Sequence, residues 1–153
     1  MSRAEQAKEY FLQGYACSQA VALAFADIAG VDEGLIAKMM LPFGGGMGRL
    51  RMTCGAVSGM AAVLGSVISS AENSAENKKE TYAAVQEICA QFVEENGSLI
   101  CEDLLAGANL QVSVGGEAEK RSVDYYKKRP CADIVYSAAK ILEEYLIEKG
   151  IIS

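Results

Sequence analysis

Four of the five cysteines lie where a loop is predicted to turn into a helix: Cys17, Cys54, Cys101 and Cys131. The N-terminus of a helix presents unpaired backbone N–H groups and a partial positive charge, and both favour a thiolate over a thiol. The thiolate is the form of cysteine that attacks disulfides and ligates metal ions. We therefore predict that these four residues together form one redox or metal centre.

The spacing of these cysteines requires tertiary structure to gather them. No CxxC pair occurs, and successive members of the set are 37, 47 and 30 residues apart. A local cysteine finger is therefore excluded, and several helices must direct their N-termini at one point. The fifth cysteine, Cys89, lies inside the apolar pattern of a helix and is predicted to pack in the interior, outside the centre.

Cys54 is the strongest candidate from the sequence for a nucleophile or a metal ligand. Thr53 precedes it as a predicted helix cap, and Arg49 and Arg51 lie a few residues upstream. Nearby cations and a helix N-terminus both lower the pKa of a thiol. We therefore expect the Cys54 thiol to be acidified.

A glycine-rich loop, Gly44-Gly45-Gly46-Met47-Gly48, precedes Cys54. It lacks the Lys-Ser/Thr of a P-loop and follows no predicted strand, so nucleotide binding is disfavoured. Glycine lets backbone approach a centre closely and offers amides to sulfur or to a substrate. Gly55 and Gly59, on one face of the next helix, permit a similarly close neighbour. The residues expected to bind a cofactor or substrate are Gly44, Gly45, Gly46, Gly48, Gly55 and Arg49.

The elements that must position these residues are predicted to be helices. Apolar spacing, capping residues and stops at glycine or proline divide the chain into successive helical segments. Predicted helices cover about 2–13, 17–30, 33–41, 54–70, 79–97, 117–127 and 131–149, with a short helical turn at 101–105. Residues 107–116 are predicted to form a loop, in which the alternating residues 110–114 are a candidate extended piece. The predicted fold is an all-α, single-domain compact bundle of about six to seven helices over residues 1–153, with one glycine-rich loop.

Composition and charge narrow the classes of function. The 153-residue chain has a net charge of −6 and no long run of lysine or arginine, so nucleic-acid binding is not expected. It contains no histidine, which removes Ser-His-Asp and Cys-His catalysis, histidine-bearing zinc sites and histidine ligation of haem. The odd number of cysteines and an N-terminus unlike a signal peptide favour a cytoplasmic protein without a static disulfide framework.

The most apolar segment, from Cys54 to Ser70, is shorter than the roughly 20 residues that a transmembrane helix needs. Glycine and serine also interrupt it, so we expect a buried central helix and no membrane insertion. Helices rich in alanine and glycine suit the packing of a homodimer, which is a further expectation. A redox partner is expected as well, and the sequence does not indicate which.

At these residues the chain resembles the C-GCAxxG-C-C family, which is named for its cysteine and glycine motif and whose redox activity is inferred. The resemblance is carried by Cys54-Gly55-Ala56-Val57-Ser58-Gly59, read as CGAxxG, with the glycine loop before it and Cys17, Cys101 and Cys131 in order. It covers essentially the whole chain, and Cys89 is additional to the family pattern. The resemblance implies a small, cytoplasmic, helical redox protein of bacteria or archaea. A related domain in split-Soret-type cytochromes resembles an iron–sulfur module. This chain has no CxxCH motif for haem attachment, so the resemblance implies only the non-haem part of that domain.

Three functions are compatible with these observations. The first is a [2Fe–2S] cluster held by all four cysteines, for electron transfer or redox sensing. The second is a metal-free thiol/disulfide oxidoreductase in which Cys54 attacks and another of the four resolves the mixed disulfide. The third is a structural zinc site with four cysteine ligands, in a module that binds a partner. An oxidoreductase, an electron carrier and a binding module all remain open.

Overall fold

The chain folds into helices and loops throughout, in a computed structural model that describes residues 1–153. The helices are α1 (Arg3–Leu12), α2 (Cys17–Leu23), α3 (Ala26–Ala29), α4 (Glu33–Met40), α5 (Gly55–Ile68), α6 (Ala75–Asn96), α7 (Cys101–Gly107), α8 (Val123–Lys128) and α9 (Cys131–Glu148). A turn of 3-10 helix, Leu41–Phe43, follows α4. The all-α prediction is confirmed, and the nine helices slightly exceed the six to seven predicted.

One cluster of 30 buried residues forms the core. The amphipathic helix α9 runs through it, with α1 packed along its length and α2, α5 and α6 also in contact with it. Large apolar side chains fill the space between these helices, and the bulkiest of them are Phe11, Phe25, Phe92, Met60, Leu64 and Ile88. Removing this apolar surface from water is the main force that holds the helices together.

Several helix ends lie where local sequence signals predict them. Ser2 and Glu5 form a capping box on α1, in which the Glu5 N–H donates to the Ser2 hydroxyl (3.1 Å) and the Ser2 N–H donates to the Glu5 carboxylate (3.2 Å). Asp32 caps α4 by accepting a hydrogen bond from the Leu35 N–H at 3.1 Å. Gly97 ends α6 with φ = 98°, a left-handed conformation that suits glycine.

The predicted second helix is interrupted at Ala24 and Phe25, which separates α2 from α3. The Arg3 guanidinium donates to the Ala24 carbonyl at 2.8 Å and lies over the buried Phe25 ring, 5.2 Å from its centroid. This hydrogen bond satisfies a carbonyl at the end of α2 that the helix no longer uses. Arg3 lies 21 residues earlier in the chain, so no local pattern could have indicated the break.

The segment between α7 and α8 is a loop, so the loop predicted over residues 107–116 is confirmed, whereas the candidate extended piece within it is not formed and the helix predicted from Glu117 begins later. Residues 110–114 form no strand, and α8 starts at Val123 instead of near Glu117. The Arg121 guanidinium donates to two main-chain carbonyls at and beyond the end of α1, at 3.0 and 2.9 Å. These contacts tie the loop to α1 before α8 begins.

Helix α5, which carries the apolar CGAxxG segment, packs mainly against α2. A Cβ atom built on Gly59 would lie 2.9 Å from the Ser18 carbonyl oxygen and 3.0 Å from Val21 Cβ. Gly55 lies equally close to α2, with the Ser18 nitrogen 3.1 Å from its built Cβ. The two glycines therefore permit the close neighbour that their spacing predicts. Neither α5 nor any other helix combines the length and apolar character that a bilayer crossing requires.

We expect Gly59→Ala to destabilise the protein by about 1–3 kcal/mol, the usual effect of overpacking a tight interface. Alanine is preferred over glycine inside helices by roughly 1 kcal/mol, so a net decrease in the free energy of unfolding would result from the clash with α2. Gly65→Ala is the matched control, because it lies in the same helix with no atom within 4 Å of the built Cβ, and it should be neutral or stabilising. Unfolding free energies in urea provide the measurement. Equal values for the two variants would contradict this packing.

Candidate cysteine centre

All four predicted cysteines lie at helix starts. Cys17, Cys101 and Cys131 are the first residues of α2, α7 and α9, and Cys54 immediately precedes α5. Their side chains line one cavity of about 330 Å³. Cys89 lies on α6, packs half-buried against the core and does not line the cavity. The structure therefore brings together the four sulfurs selected from the sequence, while their chemical roles remain predictions.

A reciprocal pair of backbone hydrogen bonds places Cys54 beside Cys101. The Cys54 N–H donates to the Leu99 carbonyl at 2.7 Å, and the Cys101 N–H donates to the Met52 carbonyl at 2.6 Å. These bonds flank the isolated β-bridge of the chain, which Thr53 makes with the residue before Cys101. The prediction that Thr53 caps α5 is therefore wrong: Thr53 is held in the bridge, and Cys54 itself occupies the N-cap position.

The glycine-rich loop forms one wall of the cavity. The lining includes every residue predicted to bind a cofactor or substrate, namely Gly44, Gly45, Gly46, Gly48, Gly55 and Arg49. A Cβ atom on Gly46 would lie 2.7 Å from Cys101 Cβ, and one on Gly55 would lie 3.3 Å from Cys17 Cβ. Glycine thus lets the backbone touch two of the cysteines. The binding role of these residues remains a prediction.

Two arginines that follow the glycine loop have left-handed backbones, with φ = 65° at Arg49 and 60° at Arg51. This conformation costs a residue with a side chain about 1–2 kcal/mol, and such strain is concentrated at functional sites. Backbone hydrogen bonds maintain it: the Arg51 N–H donates to the Gly45 carbonyl (3.1 Å), and the Gly115 N–H donates to the Arg49 carbonyl (2.8 Å). Both arginines line the cavity as a result.

Cys17 and Cys131 form an adjacent pair in the cavity. The interaction between the two thiols raises the pKa of Cys17 well above its usual value and lowers the pKa of Cys131. The positive charges of Arg129, Arg121 and Arg51 lower the pKa of Cys131 further, against the opposing effect of burial. Cys131 is therefore the cysteine of the set that most readily exists as a thiolate.

The prediction that Cys54 is acidified is wrong. Burial raises the pKa of the Cys54 thiol to about 12, and the backbone N–H groups of Ala56 and Val57 only partly oppose this rise. Burial also raises the pKa of Cys101, although Arg51 Nη1 lies 3.8 Å from the Cys101 sulfur. Arg51 is close to Cys54 in sequence, but its side chain extends to a cysteine 50 residues away.

Sequence reasoning missed three charged residues in the cavity lining: Arg121, Arg129 and Glu119. Arg121 stacks on the Phe11 ring, with Cζ 4.3 Å from the centroid, and Arg129 forms an ion pair with Glu119. The position of Arg129 just before the helix-starting Cys131 was an available signal. No local pattern indicates Arg121 or Glu119, which the loop before α8 brings to the cavity.

The four sulfurs are arranged as one close pair with two further thiols around it. Cys131 is central, because its negative charge raises the pKa of Cys17, Cys54 and Cys101. No three or more His, Cys, Asp or Glu side chains approach closely enough to hold one metal ion together. A structural zinc site needs four ligands around a single ion, and the side chains do not form such a group.

We expect limiting iodoacetamide to alkylate Cys131 before Cys54 at neutral pH. The thiolate is the reacting form, and its fraction at a given pH increases as the pKa falls. As the pH rises, the alkylation rate of Cys131 should reach half of its maximum at a lower pH than that of an ordinary thiol, and the alkylation rate of Cys54 should do so at a higher pH. Mass spectrometry of tryptic peptides from Cys89→Ser protein separates all four sites. Faster labelling of Cys54 than of Cys131 would contradict the assignment.

Comparison with known proteins agrees with this picture. The fold and the cavity define a helical thiol protein with four cysteines at one site. A family profile described as "Putative redox-active protein (C_GCAxxG_C_C)" matches residues 15–145, which include all four cysteines and the glycine loop. The chain belongs to this family of redox-active proteins. No curated protein and no solved structure matches it.

Proposed function

We propose that the protein performs thiol–disulfide exchange, with Cys17 and Cys131 alternating between a dithiol and a disulfide. The proposal rests on the position of these two cysteines in one cavity, at the first residues of two helices that contact each other. Exchange requires an attacking thiolate and a second thiol within reach to resolve the mixed disulfide. Cys131 takes the attacking role that the sequence suggested for Cys54, because burial holds Cys54 in its thiol form.

The reaction begins when the Cys131 thiolate attacks one sulfur of a substrate disulfide. The substrate S–S bond breaks, one half leaves as a thiolate, and the other half joins Cys131 in a mixed disulfide. Cys17 then gives its proton to the departed thiolate and attacks the Cys131 sulfur. This step releases the second half of the substrate and forms the Cys17–Cys131 disulfide. An external dithiol returns the protein to its reduced form.

The test is to oxidise the Cys89→Ser protein with diamide and map the disulfide in a tryptic digest. Cys17, Cys54 and Cys131 fall in separate tryptic peptides, whereas Cys101 shares one with Cys89. The Cys89→Ser background therefore makes every pairing distinguishable. We expect one Cys17–Cys131 linkage that dithiothreitol reverses. Different pairing, or disulfides between molecules only, would overturn the proposal.

A second candidate is a [2Fe–2S] cluster bound by the four cysteines, and their shared cavity favours it. Four thiolates are the usual ligand set of such clusters, with two cysteines on each iron. The donor set fits in number and type, and Cys17 and Cys131 would form one of the two pairs. Cys54 and Cys101 would have to form the other. A bound cluster would supply one-electron transfer.

Cys101→Ser separates the two candidates, because Cys101 is required for the cluster and takes no part in the proposed exchange. Protein purified without oxygen should be analysed for iron and acid-labile sulfide. Two of each per chain, lost in the Cys101→Ser variant, would support the cluster. Iron-free protein that forms the Cys17–Cys131 disulfide with or without Cys101 would support thiol exchange.

A further inference from the structure

The cavity that holds the cysteines is positively charged within an acidic protein. Its lining contains four arginines and one carboxylate, while the chain as a whole carries a net charge of −6. The four arginines are Arg49, Arg51, Arg121 and Arg129, and the carboxylate belongs to Glu119. Even with Cys131 as a thiolate, the cationic side chains remain in excess. This local excess indicates a ligand of opposite charge.

Arg51 is the most deeply buried of these cations, with 6% of its surface exposed. Its Nε donates to the Ser113 carbonyl at 3.1 Å, and its Nη1 lies 3.8 Å from the Cys101 sulfur. No carboxylate lies within ion-pair distance of it. A buried guanidinium without a carboxylate partner is costly, and the single charge of the Cys131 thiolate is shared with Arg121 and Arg129. A bound anion would relieve the remaining cost.

Arg121 likewise has no carboxylate partner. Its two terminal nitrogens donate to the carbonyls of Phe11 (3.0 Å) and Tyr15 (2.9 Å), and it also forms no ion pair. Stacking on Phe11 and on Tyr125, whose centroid is 4.9 Å from Cζ, fixes the plane of the guanidinium. The carbonyls and rings orient the cation without neutralising it.

The other two arginines share the single carboxylate. Glu119 forms an ion pair with Arg129 and lies 3.7 Å from Arg49, and its side chain is 45% exposed. One half-exposed carboxylate therefore serves two guanidinium groups at the cavity mouth. Glu119 is an internal competitor for any anion that enters.

The geometry points to a small anionic disulfide as the substrate, bound with its S–S bond beside Cys131 and its acidic groups near the arginines. This inference rests on the proposed thiol exchange and specifies what undergoes it. The volume of about 330 Å³ lies at the lower end of the range for small-molecule pockets, about 300–1,000 Å³. About half of the lining residues are apolar, which suits a short carbon or sulfur chain between two charged ends.

The reaction balances without another reagent. The Cys131 thiolate, the Cys17 thiol and a disulfide RS–SR become the Cys17–Cys131 disulfide, RS⁻ and RSH. The protein sulfurs lose two electrons and the substrate sulfurs gain two. The proton of Cys17 moves to a released thiolate. Reduction by an external dithiol completes the cycle.

The test compares disulfides of similar size and different charge: 3,3′-dithiodipropionate is anionic, bis(2-hydroxyethyl) disulfide is neutral and cystamine is cationic. Each rate of Cys17–Cys131 disulfide formation is divided by the rate at which dithiothreitol, a neutral dithiol, reduces the same disulfide, which removes intrinsic reactivity. We expect the anionic compound to exceed the neutral one about tenfold or more, and cystamine to be slowest. Added salt should reduce the ratio. Tetrathionate shows whether an inorganic anion is preferred to the organic one.

Variants that change the cavity charge test the same point in opposite directions. Arg49→Gln should lower the anionic-to-neutral ratio, and Glu119→Gln should raise it by removing the competing carboxylate. Lys127→Gln is the matched control, because Lys127 is exposed on α8 and does not line the cavity, so the ratio should not change. Glu119→Gln keeps the test decisive if an arginine variant fails to fold.

The outcomes separate this inference from the function on which it rests. Equal normalised rates for the three organic disulfides, with the Cys17–Cys131 linkage formed each time, would overturn the substrate class and leave thiol exchange intact. Failure of every disulfide to produce that linkage would overturn thiol exchange itself. A raised ratio in Glu119→Gln with an unchanged Lys127→Gln ratio supports the cavity as the site of selection.

Discussion

Replacing Cys131 with serine is expected to slow the reduction of small disulfides at least about a hundredfold at neutral pH. Cys131 is the cysteine of the centre whose pKa is lowered, whereas the pKa of Cys17, Cys54 and Cys101 is raised. With a pKa of about 12, roughly one Cys54 thiol in 100,000 is ionised near pH 7, so it cannot replace the lost thiolate. Stopped-flow or chromatographic assay of the released thiol measures the effect.

Cys17→Ser should give a different result, because it removes the resolving thiol but leaves the nucleophile. The arginines that lower the pKa of Cys131 remain in this variant, so attack should continue and the mixed disulfide on Cys131 should accumulate. Intact-mass spectrometry detects this adduct, which Cys131→Ser should not form. Cys89→Ser is the control, since Cys89 lies outside the cavity. An adduct on Cys54 in the Cys131→Ser protein, formed at the parental rate, would contradict the assignment of the nucleophile.

Gly46→Ala is expected to destabilise the protein by about 2–5 kcal/mol, combining left-handed strain with overpacking. Gly46 has φ = 74°, and a Cβ there would lie 2.6 Å from the Met52 nitrogen and 2.8 Å from Arg51 Cα. These are backbone atoms, which cannot rotate away as a side chain could. The added methyl group would also press on Cys101 Cβ at 2.7 Å, so the wall of the cavity should shift with it.

Gly48→Ala measures the cost of a left-handed backbone without any overpacking. Gly48 lies in the same loop with φ = 54°, and nothing lies within 4 Å of its built Cβ. Its cost should therefore be only about 1–2 kcal/mol, the penalty for a left-handed residue. Urea unfolding gives both values, and alkylation of Cys101 in each variant reports any local displacement. Equal destabilisation by the two substitutions would show that the loop does not touch Cys101 as described.

The features that could be predicted from the sequence are those that depend on neighbours along the chain. The capping box of Ser2 and Glu5, the Asp32 cap and the stop at Gly97 each use groups a few residues apart. Predictions were wrong where a contact with a residue distant in the sequence determined the local structure. At the end of α2, Arg3 donates a hydrogen bond to a carbonyl 21 residues later in the chain. Thr53 is held in a β-bridge and therefore does not cap α5 as predicted.

The same division applies to the site. The sequence alone located four cysteines at helix starts and glycines where the backbone approaches them, because helix starts and glycine runs are both recognised from a few neighbouring residues. Only the tertiary structure decided which thiol is acidic. The pKa of a buried thiol depends on desolvation and on charges nearby in space, and those charges come from separate segments: Arg51 after the glycine loop, Arg121 before α8 and Arg129 before α9. The distance between two residues along the chain does not reveal their distance in space. The sequence therefore indicated Cys54, whereas the acidified cysteine is Cys131.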